Sequence, residues 1–223
     1  MSAPTIILDA SVADPLAELW FVEPAGFLPL PLDALLPDPN SSAGENLRAA
    51  AAPLLDTAPD EAARRQFIAA FAAGQQLLSA LREAGTVHCS VGLHRDDVGG
   101  AEGHGAGGGG PLFSLFTVSW REFAPAPRGV TAARAVTAGG GHRCVEFAEL
   151  AAGPATFSES TATPGSESGL PQRPLLQVHA HLPHPDCRRL AVLTLTTTAP
   201  ARREEYRTIL RAITESVSFE SPG

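Results

Sequence analysis

Apolar and polar residues alternate most cleanly near the C-terminal end of the chain. In "LLQVHAHL", Leu176, Val178, Ala180 and Leu182 fall on one face, and Gln177, His179 and His181 on the other. In "RRLAVLTLTTTA", Ala191, Leu193 and Leu195 oppose Val192, Thr194, Thr196 and Thr198. A two-residue period is the signature of a strand buried on one side. The same period recurs in "TVHCSVGLH", where Val87, Cys89, Val91 and Leu93 share a face opposite His88, Ser90 and His94. It recurs again in "FSLFTVSWREF", where Phe116, Val118 and Trp120 oppose Thr117, Ser119 and Arg121.

Elsewhere the spacing changes to threes and fours, the period of a helix with one apolar face. From Pro59 to Ala84, Phe67, Ile68, Phe71, Leu78 and Leu81 recur at that spacing, and Gly85 stands where a helix-ending glycine belongs. A closing helix from Arg202 to Ser216 carries Tyr206, Ile209, Leu210 and Ile213 as its stripe, with Glu204 and Glu205 in an acidic first turn.

The remaining segments have weaker patterns. "TIILD" and "GFLPLPLD" read as edge strands because proline interrupts them. "LLPDPNSSAGENLRAAAAPLLDTAPDEAA" reads as a loop with one helical turn, and "GVTAARAVTA" and "HRCVEFAEL" as strands joined by a "GGGH" turn, the second setting Val145 and Phe147 against Cys144 and Glu146. The glycine-rich stretch near 97–110 and the Ser/Thr/Gly/Pro-rich stretch near 155–173 are expected to be mobile loops. The sum is a single α+β domain over residues 1–223: an antiparallel sheet of about five to seven strands flanked by helices.

Composition narrows the function classes. All 16 basic residues are arginine, and alanine, glycine and proline are abundant, which fits a GC-rich bacterial source. The net charge of −8, with no concentrated cationic face, argues against nucleic acid as a partner. The start lacks the basic, apolar and small-residue regions of a signal peptide, and no apolar run is long enough to span a membrane, so a cytoplasmic location is expected. Cys89, Cys144 and Cys187 are odd in number and far apart, which suits buried free thiols better than disulfides.

Candidate chemistry concentrates in "HAHLPHPDC". His179 and His181, two residues apart on a strand, could chelate one ion, with His184 in the following turn as a third ligand. The competing reading is a hairpin whose polar face carries His and Thr as cross-strand neighbours. The adjacent Asp96 and Asp97 point opposite ways on an extended chain. The glycine-rich stretch lacks the lysine and the strand-to-helix setting of a phosphate-binding loop. No GxSxG elbow or cysteine protease signature is present.

The run "LLQVHAHL", "RRLAVLTLTTTA" and "EEYRTILRAITESVSFE", with "FVEPAGFLPLPL" near the start, resembles PsbP-like domains over about a third of the chain. The resemblance implies an antiparallel sheet flanked by helices, and a protein that binds or assists other proteins without catalysing a reaction. It implies no cofactor. Bacterial relatives of that family are often lipoproteins, whereas this chain has no lipobox cysteine near its start. The expected partner is therefore another protein. A metal-dependent enzyme using His179 and His181, or a small-molecule carrier, is the alternative.

Overall fold

The computed structural model describes residues 5–8, 19–95, 111–138, 140–165 and 172–220. A short antiparallel hairpin of β1 (Thr5–Leu8) and β2 (Trp20–Glu23) precedes the main sheet. That sheet is built from β3 (Phe27–Pro29), β4 (Thr86–Arg95), β5 (Pro111–Glu122), β6 (Arg143–Leu150), β7 (Gly153–Ala162), β8 (Leu175–Pro183) and β9 (Arg189–Thr197). Its seven strands are all antiparallel in the order β3-β4-β5-β9-β8-β7-β6. With helices α1 (Leu32–Leu35), α2 (Ser42–Asp56), α3 (Glu61–Glu83), α4 (Arg128–Ala138) and α5 (Arg203–Glu215), this is the expected α+β fold.

One face of the sheet is the core. Phe116, Val118, Leu193, Leu195, Val178 and Ala180 lie on it, and α5 covers them with Tyr206, Leu210 and Ile213, each 3% exposed or less. The stripe on α5 is therefore the one the spacing predicts, and Glu204 and Glu205 occupy its first turn as expected. The hairpin closes the same core through Leu19 and Phe21, and Trp20 and Ser218 exchange both backbone hydrogen bonds at 2.9 Å. Ion pairs tie α5 to the far strands. Glu159, nearly buried, receives Arg207 at 2.5 Å and Arg203 at 3.2 Å, and Glu146 receives Arg211 at 2.6 Å.

Helix α3 starts where Asp60 accepts the Ala63 amide at 2.7 Å and stops at Gly85, whose φ of +84° suits only glycine. A Cβ on Gly85 would meet the Trp120 carbonyl oxygen at 2.7 Å, while the Gly85 carbonyl accepts the Trp120 amide at 2.9 Å. That glycine aims β4 into the sheet.

Three expectations are corrected. The segment read as a loop with one turn contains the 15-residue α2, capped by the Ser41 hydroxyl accepting the Gly44 amide at 3.1 Å and carried by an alanine run of high helix propensity. "GVTAARAVTA" forms most of α4 rather than a strand: Thr131, Ala132 and Val136 share a helical face against β7 and β8. The Arg128 guanidinium donates to the Pro183 carbonyl at 2.9 Å and to the Ala152 carbonyl, and it packs over the glycine at Gly153.

The third correction concerns the stretch near 155–173, whose first part is strand β7. Its polar residues are buried with partners, as when the Thr156 hydroxyl donates to the Ala132 carbonyl at 3.0 Å, so a polar composition did not mean a solvated loop. The expected loop near 97–110 lies outside the described residues, as do residues 166–171.

Two strands also present the face opposite to the one their apolar residues suggest. On β4 the buried side includes His88 and Ser90, while Leu93 is exposed. On β6, Val145 and Phe147 face solvent while Glu146 turns towards α5. A register shift between Arg143 and Glu146, with Cys144 at φ +49°, marks a bulge at the start of β6.

Candidate functional site: a histidine-walled cleft on the open face of the sheet

The face of the sheet turned away from α5 is only partly covered. The C-terminal end of α3, through Leu81 and Ala84, and α4, through Ala135 and Ala138, leave between them a cleft of about 500 Å³. Its floor follows from the register. Thr117, Thr194 and His179 are successive partners across β5, β9 and β8; Ser119, Val192 and His181 form the next row, and Leu115, Thr196 and Gln177 the row beyond. Side-chain alternation puts every one of these on the open face. The Gln, His and Thr positions of β8 and β9 are the ones the two-residue period assigns to the polar side.

Three imidazoles meet at one wall. His142, in the turn before β6, packs edge-on against His179 and His181 with ring centroids 5.3 Å and 5.7 Å away. His179 is held at both nitrogens, by the Thr194 hydroxyl at Nδ1 and the Ser160 hydroxyl at Nε2, each at 3.0 Å. Ser160 in turn donates to Gln177 Oε1 at 3.3 Å. His181 donates from Nδ1 to the Thr156 carbonyl at 3.3 Å, which leaves Nε2 as an acceptor at the cleft. His142 Nδ1 lies 3.0 Å from the Ser158 hydroxyl.

Burial disfavours charge here. It lowers the pKa of His179 to about 3, with His181 and His142 adding repulsion. Burial likewise brings His181 to about 4, against the opposing hydrogen bond to Thr156 and with further lowering from His142. Both rings are neutral at pH 7. Among the described residues neither Ser–His pair has a carboxylate to orient the imidazole, and His179, with a pKa near 3, takes the Ser160 proton poorly.

The expected metal set of His179, His181 and His184 is not brought together. His184 falls on the opposite side of the sheet, where its ring packs edge-on against Trp120 at 5.8 Å and Phe219 at 4.9 Å, with Asp186 Oδ2 3.0 Å from Nδ1. The member of the cluster that sequence reading missed is His142. It sits 37 positions before His179, in a turn whose local sequence carries no sign of where it packs. Among the described residues no group of three His, Cys, Asp or Glu side chains is arranged to hold a metal ion.

Other candidates disperse. Of the three free cysteines, Cys89 is buried as expected, but Cys144 is exposed and Cys187 half-buried. Both of these have positive φ, Cys144 at the bulge that opens β6 and Cys187 in the turn between β8 and β9. Asp96 and Asp97 lie outside the described residues. Among the described residues no helix is long and apolar enough to cross a membrane. No protein-family model matches the chain, and no curated protein matches it either.

Proposed function

We propose that this chain is a non-enzymatic binding protein, an accessory protein of a GC-rich bacterium that works in the cytoplasm by engaging another protein. The observation that carries the reading is α3. Its 23 residues extend roughly 35 Å at 1.5 Å per residue, yet none is buried. It meets the sheet near its C-terminal end, where Leu81 and Ala84 reach the cleft wall. Towards its N-terminal end Phe67 is 38% exposed and Ile68 49% exposed, and the Phe67 and Phe71 rings stack at 6.3 Å.

Single exposed apolar residues are ordinary, but two aromatic rings and an isoleucine within two turns of one helix form the anchor of a helix-mediated contact. The depressed pKa of His179, the imidazole bound to Ser160, makes it a poor base for activating that hydroxyl, which favours binding over turnover. The resemblance of the C-terminal strands and helix to PsbP-like domains points the same way.

A photo-cross-linking residue at position 67, with a control at the exposed Glu204, tests this in the cells that make the protein. A partner captured at 67 and absent at 204 should bind the purified chain, and Phe67→Ser with Ile68→Ser should weaken that complex at least tenfold without changing thermal unfolding. Capture of nothing above the control, or of a second copy of this chain alone, overturns the reading.

A further inference from the structure

The cleft between α3 and α4 has a charge pattern at odds with the rest of the molecule. The chain carries 24 acidic residues and a net charge of −8, yet among the described residues no Asp or Glu lines this cleft. Among the described residues Arg121 is the one charged side chain there, exposed and without an ion pair. Other arginines are already engaged, Arg207 and Arg211 by carboxylates and Arg128 by carbonyls. A lone guanidinium in a carboxylate-free recess attracts one negative charge and orients a carboxylate through its paired N–H groups.

The strand geometry sets what lies beyond that charge. Arg121 pairs with Leu190, the next row along the strands is Ser119 and Val192, and the row after that is Thr117 and Thr194. Rows on one face are about 7 Å apart, two residues of strand rise. A group bound at the Arg121 head therefore places its body over Val192, with Leu81 and Ala135 as apolar walls. Its far end reaches the Thr117 and Thr194 hydroxyls, which pair with a hydroxyl group, while His181, in the Val192 row, stands beside the body of the bound group. The volume of about 500 Å³ is in the range of small-molecule sites.

We propose that this cleft binds a small cyclic hydroxy-monocarboxylic acid, with the carboxylate on Arg121, the ring over Val192 beside His181 and the hydroxyl on the Thr117 and Thr194 hydroxyls. This site is separate from the exposed end of α3, and the proposal does not rest on the protein-docking reading.

The probe is 4-hydroxybenzoate, titrated into the full chain and followed by amide chemical shifts and by calorimetry. Saturable binding at one site is expected, with the largest shifts at Ser119, Val192 and Thr194. Benzoate, without the hydroxyl, and 4-hydroxybenzamide, without the charge, should each bind at least several-fold more weakly. Arg121→Gln should weaken 4-hydroxybenzoate about tenfold or more, the scale of a hydrogen bond to a charged group, with unchanged thermal unfolding. Absence of saturation at millimolar probe, shifts confined to another face, or equal binding of the amide overturns the proposal. So does full affinity in a folded Arg121→Gln variant; the amide comparison holds even if that variant fails to fold.

Discussion

Replacing Glu23 by alanine tests how the β1–β2 hairpin is held on the sheet. Glu23 is 4% exposed, and its Oε1 takes a hydrogen bond from the Ser90 hydroxyl and another from His88 Nε2 at 3.2 Å. His88 is 7% exposed and Ser90 not at all, so neither reaches bulk water when the carboxylate is gone. Each buried polar group left without its partner costs about 1–3 kcal/mol. With two such groups the loss comes to roughly 2–6 kcal/mol, a large share of the 5–15 kcal/mol that holds a typical domain.

Urea unfolding followed by circular dichroism reads this loss directly. The triple variant Glu23→Leu, His88→Leu, Ser90→Ala should recover most of it, because apolar groups of similar volume leave nothing unpaired. The three single losses should accordingly sum to well more than the triple loss, by about 1–3 kcal/mol. A cost below about 0.5 kcal/mol for Glu23→Ala, the scale of surface changes, would show that the hairpin does not depend on this contact. Additive single losses would show that the three groups are not coupled.

Ile213→Ala should cost roughly 2–5 kcal/mol in the same assay, since its side chain is 1% exposed in the core under α5. The depressed pKa values of His179, about 3, and His181, about 4, mean that the unfolded chain takes up protons below about pH 6.5 while the folded chain does not. Stability should therefore fall as pH drops from about 6.5 to 4, by about 1.4 kcal/mol per pH unit for each ring, and the slope should be shallower in His179→Gln; an unchanged slope would contradict the burial of that ring. The Cys89 thiol, pushed up to about 12 by burial and then by the Glu23 carboxylate, should resist iodoacetamide at pH 8 in the native protein. Cys144 should react, and mass spectrometry of the labelled peptides distinguishes the two.

The parts of the fold legible in the sequence are those where burial is one-sided and the covering element is apolar. Strands β8 and β9 and helix α5 meet that condition, so period alone assigns their faces, and Gly85 marks the end of α3 because only glycine fits its backbone. Reading failed where distant polar partners decide burial. His88 and Ser90 turn inward because Glu23, more than sixty positions away, waits there, and Glu146 turns towards α5 because Arg211 does. Strand β7 hid behind serines and threonines whose partners lie on α4, on β8 and at His142 in the turn before β6. In α4, β-branched residues among alanines imitate a strand, and only packing on β7 and β8 selects the helix. The candidate site was half legible: alternation placed His179 and His181 together, while His142 joins them through chain folding alone.

The two ends of the main sheet differ in how they meet a neighbouring molecule. At β3 the free edge is three residues long and ends in Pro29, which has no N–H to offer, so an incoming strand finds almost nothing to pair with. At β6 the bulge before Glu146 spoils pairing at the start of the strand, but Phe147–Leu150 continue in regular register with β7, and Phe147 is 62% exposed. Unwanted strand addition in concentrated solution therefore begins at β6, and a charged residue in place of Phe147 would guard that edge without touching the core.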